Sequence, residues 1–185
     1  LQKIINNRIK EIEKQKTLLS SETLQNQINQ NEIEDMHGIK YYDFKKKISD
    51  NIKKGKISII GEIKKASPSA GVIIESYFPQ DIAKIYKSKN ITCLSVLAEQ
   101  QNFLGNMMDI SLCKQKCDLP ILCKDFFIDR YQVLAARRHG ADAILIILAG
   151  VSESLANDLY EEALKLNMSV IVEVHTVEEA KQALK

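Results

Sequence analysis

The sequence predicts an α/β fold with a parallel sheet, because short apolar runs alternate with amphipathic helical patterns from residue 57 onward. The predicted strands are ISIIGEIK (57–64), TCLSVLAE (92–99), LPILCKDF (119–126), AILIILA (143–149) and SVIVEVH (169–175). The last two runs are apolar on both faces, as parallel strands covered by helices should be. No Gly-x-Gly-x-x-Gly motif follows the first strand, which disfavours a dinucleotide-binding fold.

A helical extension is predicted in front of the sheet, over residues 1–56. Residues 1–16 carry one apolar helical stripe, which consists of Leu1, Ile4, Ile5, Ile9 and Ile12. The polar stretch from Ser20 to about Glu34 predicts a loop or a loosely held helix. Residues 41–54 predict another helix that stops at Gly55. Its apolar face comprises Tyr41, Phe44, Ile48 and Ile52.

Helices are also predicted between the strands of residues 57–185. They begin near Pro79, at Asp129, at about Ser152 and after Thr176, which forms a capping box with Glu179. A (βα)8 barrel needs about 250 residues. Five βα units are visible here, so a barrel built from this chain is predicted to be incomplete.

Composition and charge exclude several classes of function. The 185 residues carry 26 Lys and Arg against 24 Asp and Glu, a net charge of +2 that gives no reason to expect nucleic acid or a membrane surface as a partner. No apolar stretch is long enough to span a bilayer, and residues 1–20 do not resemble a signal peptide. We therefore expect a cytoplasmic protein.

The four cysteines are predicted to be reduced thiols rather than metal ligands. Cys113 and Cys117 have the spacing of one helical turn, which could suggest a metal pair. However, the sequence has no CxxC motif and no His close to them. We therefore predict no metal site.

Charged residues at the ends of the predicted strands are the strongest functional signal. Glu62 and Lys64 lie two apart in the first strand and should point to the same side. Lys124 ends the third strand, and Glu173 interrupts the fifth. Barrel enzymes build their sites at the carboxyl ends of parallel strands. The alternative is a structural network of buried ion pairs.

Two loops add candidate ligand-binding residues. SPSAG (67–71) offers hydroxyl groups, a rigid Pro68 and a flexible glycine that suit a polar ligand, although an ordinary turn has the same composition. The loop NFLG (102–105) places Phe103 after the second strand, where an aromatic ring could cover a planar substrate. His175 follows Glu173 on the same face, and a structural role for it is favoured over a catalytic one.

These segments resemble the indole-3-glycerol phosphate synthase family. GEIKKASPSAGVI is similar to the family's first strand, and SVLAEQQNFLGN to its second strand with the Phe-Gly loop. LPILCKDFFIDRYQVLAARRHGADAILII is similar to the third and fourth units, and VIVEVHTVEEAKQAL to the fifth. The N-terminal helices match the family's extension in place and length. The resemblance covers essentially the whole chain.

The resemblance implies a (βα)8 TIM barrel that converts 1-(2-carboxyphenylamino)-1-deoxyribulose 5-phosphate into indole-3-glycerol phosphate, CO2 and water, without a cofactor. It implies that Lys124 is the general acid in ring closure and that Lys64 holds anionic groups of the substrate and takes part in proton transfer. Glu173 is implied as the acid or base of the dehydration step, and Glu62 as a further active-site carboxylate.

The implied substrate-binding residues are Ser67, Pro68, Phe103 and Phe126. The family also uses an Asn from its sixth strand and a Ser-Gly phosphate site from its last two loops, and residues 1–185 contain no counterpart of these. We therefore expect the chain alone to be inactive and to self-associate through the two open edges of its sheet.

Two other interpretations remain open from the sequence. A related phosphate-binding barrel such as phosphoribosylanthranilate isomerase is disfavoured, because that chemistry favours a Cys base and an Asp acid rather than Glu-x-Lys-x-x-Ser-Pro-Ser. The other interpretation is a barrel fragment without catalytic activity.

Overall fold

The computed structural model describes residues 1–29 and 40–184, which form a parallel sheet with helices between its strands. The sheet strands are β1 (Ile60–Ile63), β4 (Cys93–Leu97), β5 (Ile121–Lys124), β6 (Ala143–Ile147) and β7 (Ser169–Glu173). Their order is β1-β4-β5-β6-β7, and every neighbouring pair is parallel. This arrangement confirms the predicted α/β fold. Within the described residues the sheet is not closed into a barrel.

Eight α-helices are described, three before the sheet and five between or after its strands. The first three are α1 (Gln2–Leu18), α2 (Ser21–Asn29) and α3 (Phe44–Lys53). The other five are α4 (Pro79–Ser88), α5 (Met107–Lys114), α6 (Arg130–Arg138), α7 (Glu153–Lys165) and α8 (Val177–Ala183). A short antiparallel hairpin, β2 (Ala66–Ser67) and β3 (Gly71–Val72), follows β1, and a 3-10 turn (Leu148–Gly150) follows β6.

Several predicted boundaries are shifted by capping side chains. The helix predicted over residues 41–54 begins only at Phe44, because the carboxylate of Asp43 accepts the backbone N–H of Lys46 and caps the first turn. The helix predicted from Asp129 likewise begins one residue later, since Asp129 is its cap. Part of the polar stretch predicted as a loop or a loosely held helix is α2; its remainder, beyond Asn29, lies outside the described residues.

The prediction of an apolar stripe on the first helix was wrong in part. The buried residues of α1 are Ile5, Arg8 and Ile12, whereas Leu1 and Ile9 are about half exposed. Arg8 replaces an apolar residue on the buried stripe because it has a buried carboxylate partner on another segment.

Helix α5 was not predicted, although Asn106 caps it by accepting the backbone N–H of Met108. Ile110, Ser111, Cys113 and Lys114 of this helix are all buried. Such a helix lacks a clear division into apolar and polar faces, so its periodicity is weak.

The two faces of the sheet pack against different partners. One face supplies Ile63, Leu94, Val96 and Ile144 to a large cluster that includes residues of the covering helices. The opposite face holds a smaller cluster, which consists of Phe44, Cys93, Leu122, Ala143 and Leu145. Because Cys93 and Ala143 begin their strands, α3 covers the amino ends of the strands through Phe44. The carboxyl ends are left for the loops that carry the candidate site.

Among the described residues, no helix combines the length and apolar character that crossing a membrane requires.

Candidate active site

Glu62 lies between the two predicted lysines and contacts both of them. Its Oε1 atom accepts a hydrogen bond from Lys64 Nζ, and its Oε2 atom accepts one from Lys124 Nζ at 2.8 Å. All three side chains are about two-thirds buried. The structure therefore brings together three of the four charged residues that the sequence singled out.

Strand register explains why these residues meet. In the parallel sheet Glu62 of β1 lies beside Ser95 of β4, and Lys124 of β5 lies beside Leu97. Strands two apart are separated by about 10 Å, a gap that a glutamate and a lysine bridge together when both point to the same face. Lys64 follows β1 and returns to Glu62 because residues two apart share a face.

The pKa of Glu62 lies below the ordinary value of a glutamate. Partial burial by itself raises the pKa, but the hydrogen bonds from Lys124 and Lys64 and their positive charges outweigh this effect. Glu62 is therefore an ionised carboxylate at neutral pH. Two ammonium groups held at one carboxylate form a positively charged cluster that can attract an anionic substrate.

Two phenylalanine rings lie next to the lysine cluster. The ring centroids of Phe103 and Phe126 are 6.4 Å apart with an angle of 40° between the planes, a favourable tilted arrangement. Both rings line one small cavity together with Lys124 and Leu145. The cavity thus has an aromatic wall beside Lys124, the lysine whose ammonium group is bonded to Glu62.

Glu99 positions the loop that carries Phe103, and the sequence analysis did not single it out. Its buried carboxylate accepts the backbone N–H groups of Asn102 at 2.7 Å and Phe103 at 3.0 Å, and also the side-chain amide of Asn102 at 2.9 Å. The same loop approaches Leu97 so closely at Gly105 that a Cβ atom there would lie 2.2 Å from the Leu97 carbonyl oxygen. The signal in the sequence that could have identified Glu99 was its charge at the end of the apolar run that contains β4.

Glu173 ends β7 and belongs to a separate pair. Its Oε1 atom lies 2.9 Å from His175 Nε2, and in the sheet Glu173 is beside Ile147. Glu173 therefore lies at the carboxyl end of its strand, as Lys124 does, but its side chain pairs with His175 rather than with a lysine.

Ser67 and Pro68 lie in the hairpin that follows β1. The Ser67 hydroxyl accepts the backbone N–H of Ala70 at 3.2 Å, and Pro68 is exposed. Gly71 closes this turn with a φ of +66°, a conformation that favours glycine. The hairpin extends from the strand that carries Glu62.

The cysteines and other potential metal ligands do not converge in the part of the chain that the structure describes. No group of three or more His, Cys, Asp or Glu side chains there could hold a metal ion. All four cysteines are free thiols and are buried. Burial raises the pKa of the Cys93 thiol to about 12.

The fold and the cluster together define a class of protein. Alternating strands and helices form a parallel sheet, and the charged and aromatic residues gather at the carboxyl ends of its strands, where barrel enzymes of the βα type build their sites.

Comparison with known proteins identifies the family within that class. The family described as "Indole-3-glycerol phosphate synthase" matches residues 1–185, and the chain belongs to this family.

Named relatives agree with this assignment. An indole-3-glycerol phosphate synthase of Burkholderia multivorans is 47% identical over 130 residues, which are 70% of this chain and 50% of the relative. One of Bordetella pertussis is 44% identical over 141 residues, 76% of this chain and 54% of the relative. The chain thus spans about half the length of the curated relatives it matches.

Proposed function

We propose that this chain is part of an enzyme that converts 1-(2-carboxyphenylamino)-1-deoxyribulose 5-phosphate into indole-3-glycerol phosphate, CO2 and water. The observation that carries the proposal is the cluster of Lys64, Glu62 and Lys124 beside the ring pair Phe103 and Phe126. The family's name and the names of its relatives support the same reaction.

Lys124 is the proposed general acid of ring closure. When the aromatic carbon attacks the ribulose carbonyl, negative charge develops on the carbonyl oxygen. An ammonium group at that oxygen stabilises the charge and then donates a proton to it. Lys124 is the last residue of β5, and its ammonium group is bonded to Glu62. The ammonium group is therefore held in place before the substrate arrives.

Loss of CO2 follows ring closure, because expulsion of the carboxylate carbon restores the aromatic sextet. The aromatic wall formed by Phe103 and Phe126 is the proposed binding place of the substrate ring. Lys64 is proposed to hold an anionic group of the substrate, and Ser67 and Pro68 of the adjoining hairpin to lie against the ligand. Dehydration then requires removal of the hydroxyl group and of a proton from the ring.

Glu173 is the proposed acid or base of this dehydration. It lies at the carboxyl end of β7, and His175 at 2.9 Å supplies a hydrogen-bonding partner. Glu62 is kept ionised between two lysines, so its proposed part is to position them rather than to exchange protons.

The decisive experiment follows formation of the fluorescent indole product by the protein at its natural length. Lys124→Ala should lower turnover by about two to four orders of magnitude, the contribution of a positioned general acid. The matched control is Lys84→Ala, which removes an exposed lysine of α4 that pairs with Asp81. Normal turnover by Lys124→Ala would remove this lysine from the mechanism. If the unmodified protein converts phosphoribosylanthranilate instead, the proposed reaction is wrong.

The same assay with rapid quenching separates the later step. Glu173→Gln should slow dehydration more than ring closure, so an intermediate should accumulate. An unchanged rate of every step would assign Glu173 only a structural contact with His175.

A further inference from the structure

A buried ion pair joins the N-terminal extension to the turn that directly follows Lys124 at the end of β5. Arg8 of α1 donates from Nε to Oδ1 of Asp125 at 3.2 Å, and its terminal NH2 group donates to Oδ2 of the same carboxylate. The Arg8 side chain is 2% exposed and that of Asp125 is fully buried. A second carboxylate, Glu11, lies 2.8 Å from the guanidinium group. Such a two-bond contact fixes both partners in direction as well as in distance.

Asp125 also fixes the backbone next to it. Its Oδ1 atom accepts the backbone N–H of Phe126 at 2.8 Å. Asp125 stands between Lys124, whose ammonium group contacts Glu62, and Phe126, whose ring faces Phe103. One buried carboxylate therefore holds the turn from which both side chains project.

Helix α1 also contacts the loop that carries Phe103. Asn7 Nδ2 donates to Gln101 Oε1 at 2.8 Å, and Gln101 Nε2 donates to Glu11 Oε1 at 2.6 Å. Since Glu11 is in turn bonded to Arg8, one network on α1 contacts the loops after β4 and β5. These are the two loops whose aromatic rings line the cavity beside Lys124.

We propose that Arg8 and Asp125 are positioning residues of the active site: their buried ion pair uses the N-terminal extension to set where Lys124 and Phe126 lie. The inference rests on the proposed function, since it names what orients the proposed general acid. Asp125 lines the cavity together with Lys124 and Phe126, but its carboxylate is bonded to Arg8, which does not line the cavity. A displacement of about 1 Å in a reacting group can lower the rate about 100-fold. The rate should therefore respond strongly to any loosening of the turn that Asp125 holds.

The test compares two ion pairs that α1 makes with the same connection between β5 and α6. Arg8→Met removes the buried pair, and the control Lys16→Met removes the pair with Asp129 at 2.5 Å, whose side chains are about one-third exposed. Because Arg8→Met leaves a buried carboxylate without its cation, the double variant Arg8→Met/Asp125→Asn removes both charges and keeps an oxygen that can accept the Phe126 N–H. All variants are assayed at the natural length of the protein.

We expect the double variant to lower kcat by about 10- to 100-fold. Lys16→Met should stay within about threefold of the unmodified protein. The variant Arg8→Lys keeps the positive charge but can make only one hydrogen bond to Asp125. It should therefore lose less kcat than Arg8→Met does. If the double variant melts at the unmodified temperature and still loses turnover, the loss is one of position rather than folding. Unchanged kcat in the double variant, or an equal loss in Lys16→Met, would overturn the inference.

Backbone hydrogen exchange of residues 124–128 provides a measure that does not depend on activity. The double variant should exchange faster there than the Lys16→Met control. If the unmodified protein forms no indole product, the proposed function fails while the exchange result still tests the hold of the ion pair on the turn. Identical exchange in both variants would overturn the inference whatever the reaction is.

Discussion

Glu62 shows how a single residue can organise a cluster of charges. A lone carboxylate at a strand end would be solvated, and a lone lysine beside it would be free to move through many rotamers. Contact with both Lys64 and Lys124 restricts all three side chains. The contact also ties the protonation of Glu62 to the order of the site, because a neutral carboxyl group attracts the two lysines much more weakly than a carboxylate does.

This coupling predicts a pH dependence with a definite sign. The pKa of Glu62 in the folded protein is below its ordinary value of 4.5, so folding favours the ionised form. The stabilisation by Glu62 is therefore fully present above pH 4.5 and is lost as the pH falls through the lower pKa of the folded state. The difference in free energy of unfolding between the unmodified protein and Glu62→Gln should shrink as the pH falls below 4.5.

Denaturant unfolding at a series of pH values measures this difference. Glu153→Gln, which changes an exposed glutamate at the start of α7, is the control and should show no comparable trend. A difference for Glu62→Gln that grows toward acid pH would contradict the assigned direction of the pKa shift.

At the scale of elements, a second buried ion pair joins α5, the start of β6 and the segment before α3. Asp142 accepts hydrogen bonds from Lys114 Nζ and from the backbone N–H groups of Tyr42 and Ile121. Lys114 also donates to the Lys40 carbonyl at 3.0 Å. Burial is the largest influence on both groups; it raises the pKa of Asp142 and lowers that of Lys114, although each partner opposes the shift.

Removing one member of this pair should lower the free energy of unfolding, because the pair lies away from the candidate active site. Lys114→Met leaves the Asp142 carboxylate buried without its cation, which costs about 3–5 kcal/mol in typical proteins. Lys116→Met, two residues away on the exposed surface, should change the free energy of unfolding by less than about 0.5 kcal/mol. Urea denaturation of both variants measures the difference. Equal stabilities would mean that the two backbone N–H donors satisfy Asp142 on their own.

At the scale of the whole molecule, the open sheet determines how the 185-residue chain should behave by itself. In the described residues β1 and β7 are the two ends of the sheet, and each is paired on one side only. Ile60 of β1 and Val172 of β7 are both more than one-third exposed. Edge strands with free backbone donors and acceptors readily pair with other chains.

We therefore expect the isolated 185-residue chain to self-associate and to lack turnover. Light scattering across micromolar concentrations is the direct measurement, with the whole indole-3-glycerol phosphate synthase of Burkholderia multivorans as the control. A stable monomer with a cooperative thermal transition would show that the two edges and the exposed apolar surface are tolerated in water.

The sequence alone determined the elements whose evidence is local. Alternating apolar runs predicted all five sheet strands, and the Thr176 cap and the apolar pattern of α7 predicted two of the helices. Charges inside apolar strands pointed to Glu62 and Lys124, since a charge in such a run needs a partner or a function. Helix α5 was not predicted because it is buried on most sides, which removes the apolar periodicity that indicates a helix.

Only the tertiary structure decided which of these residues meet. Strand register brings Glu62 to Lys124, 62 positions away, and leaves Glu173 with His175. Docking of α1 buries Arg8 against Asp125, 117 positions away, although the helical pattern predicted isoleucines on that stripe. Local periodicity depends on neighbours along the chain, whereas an ion pair depends on which surfaces pack together, and that choice is settled by burial over the whole fold.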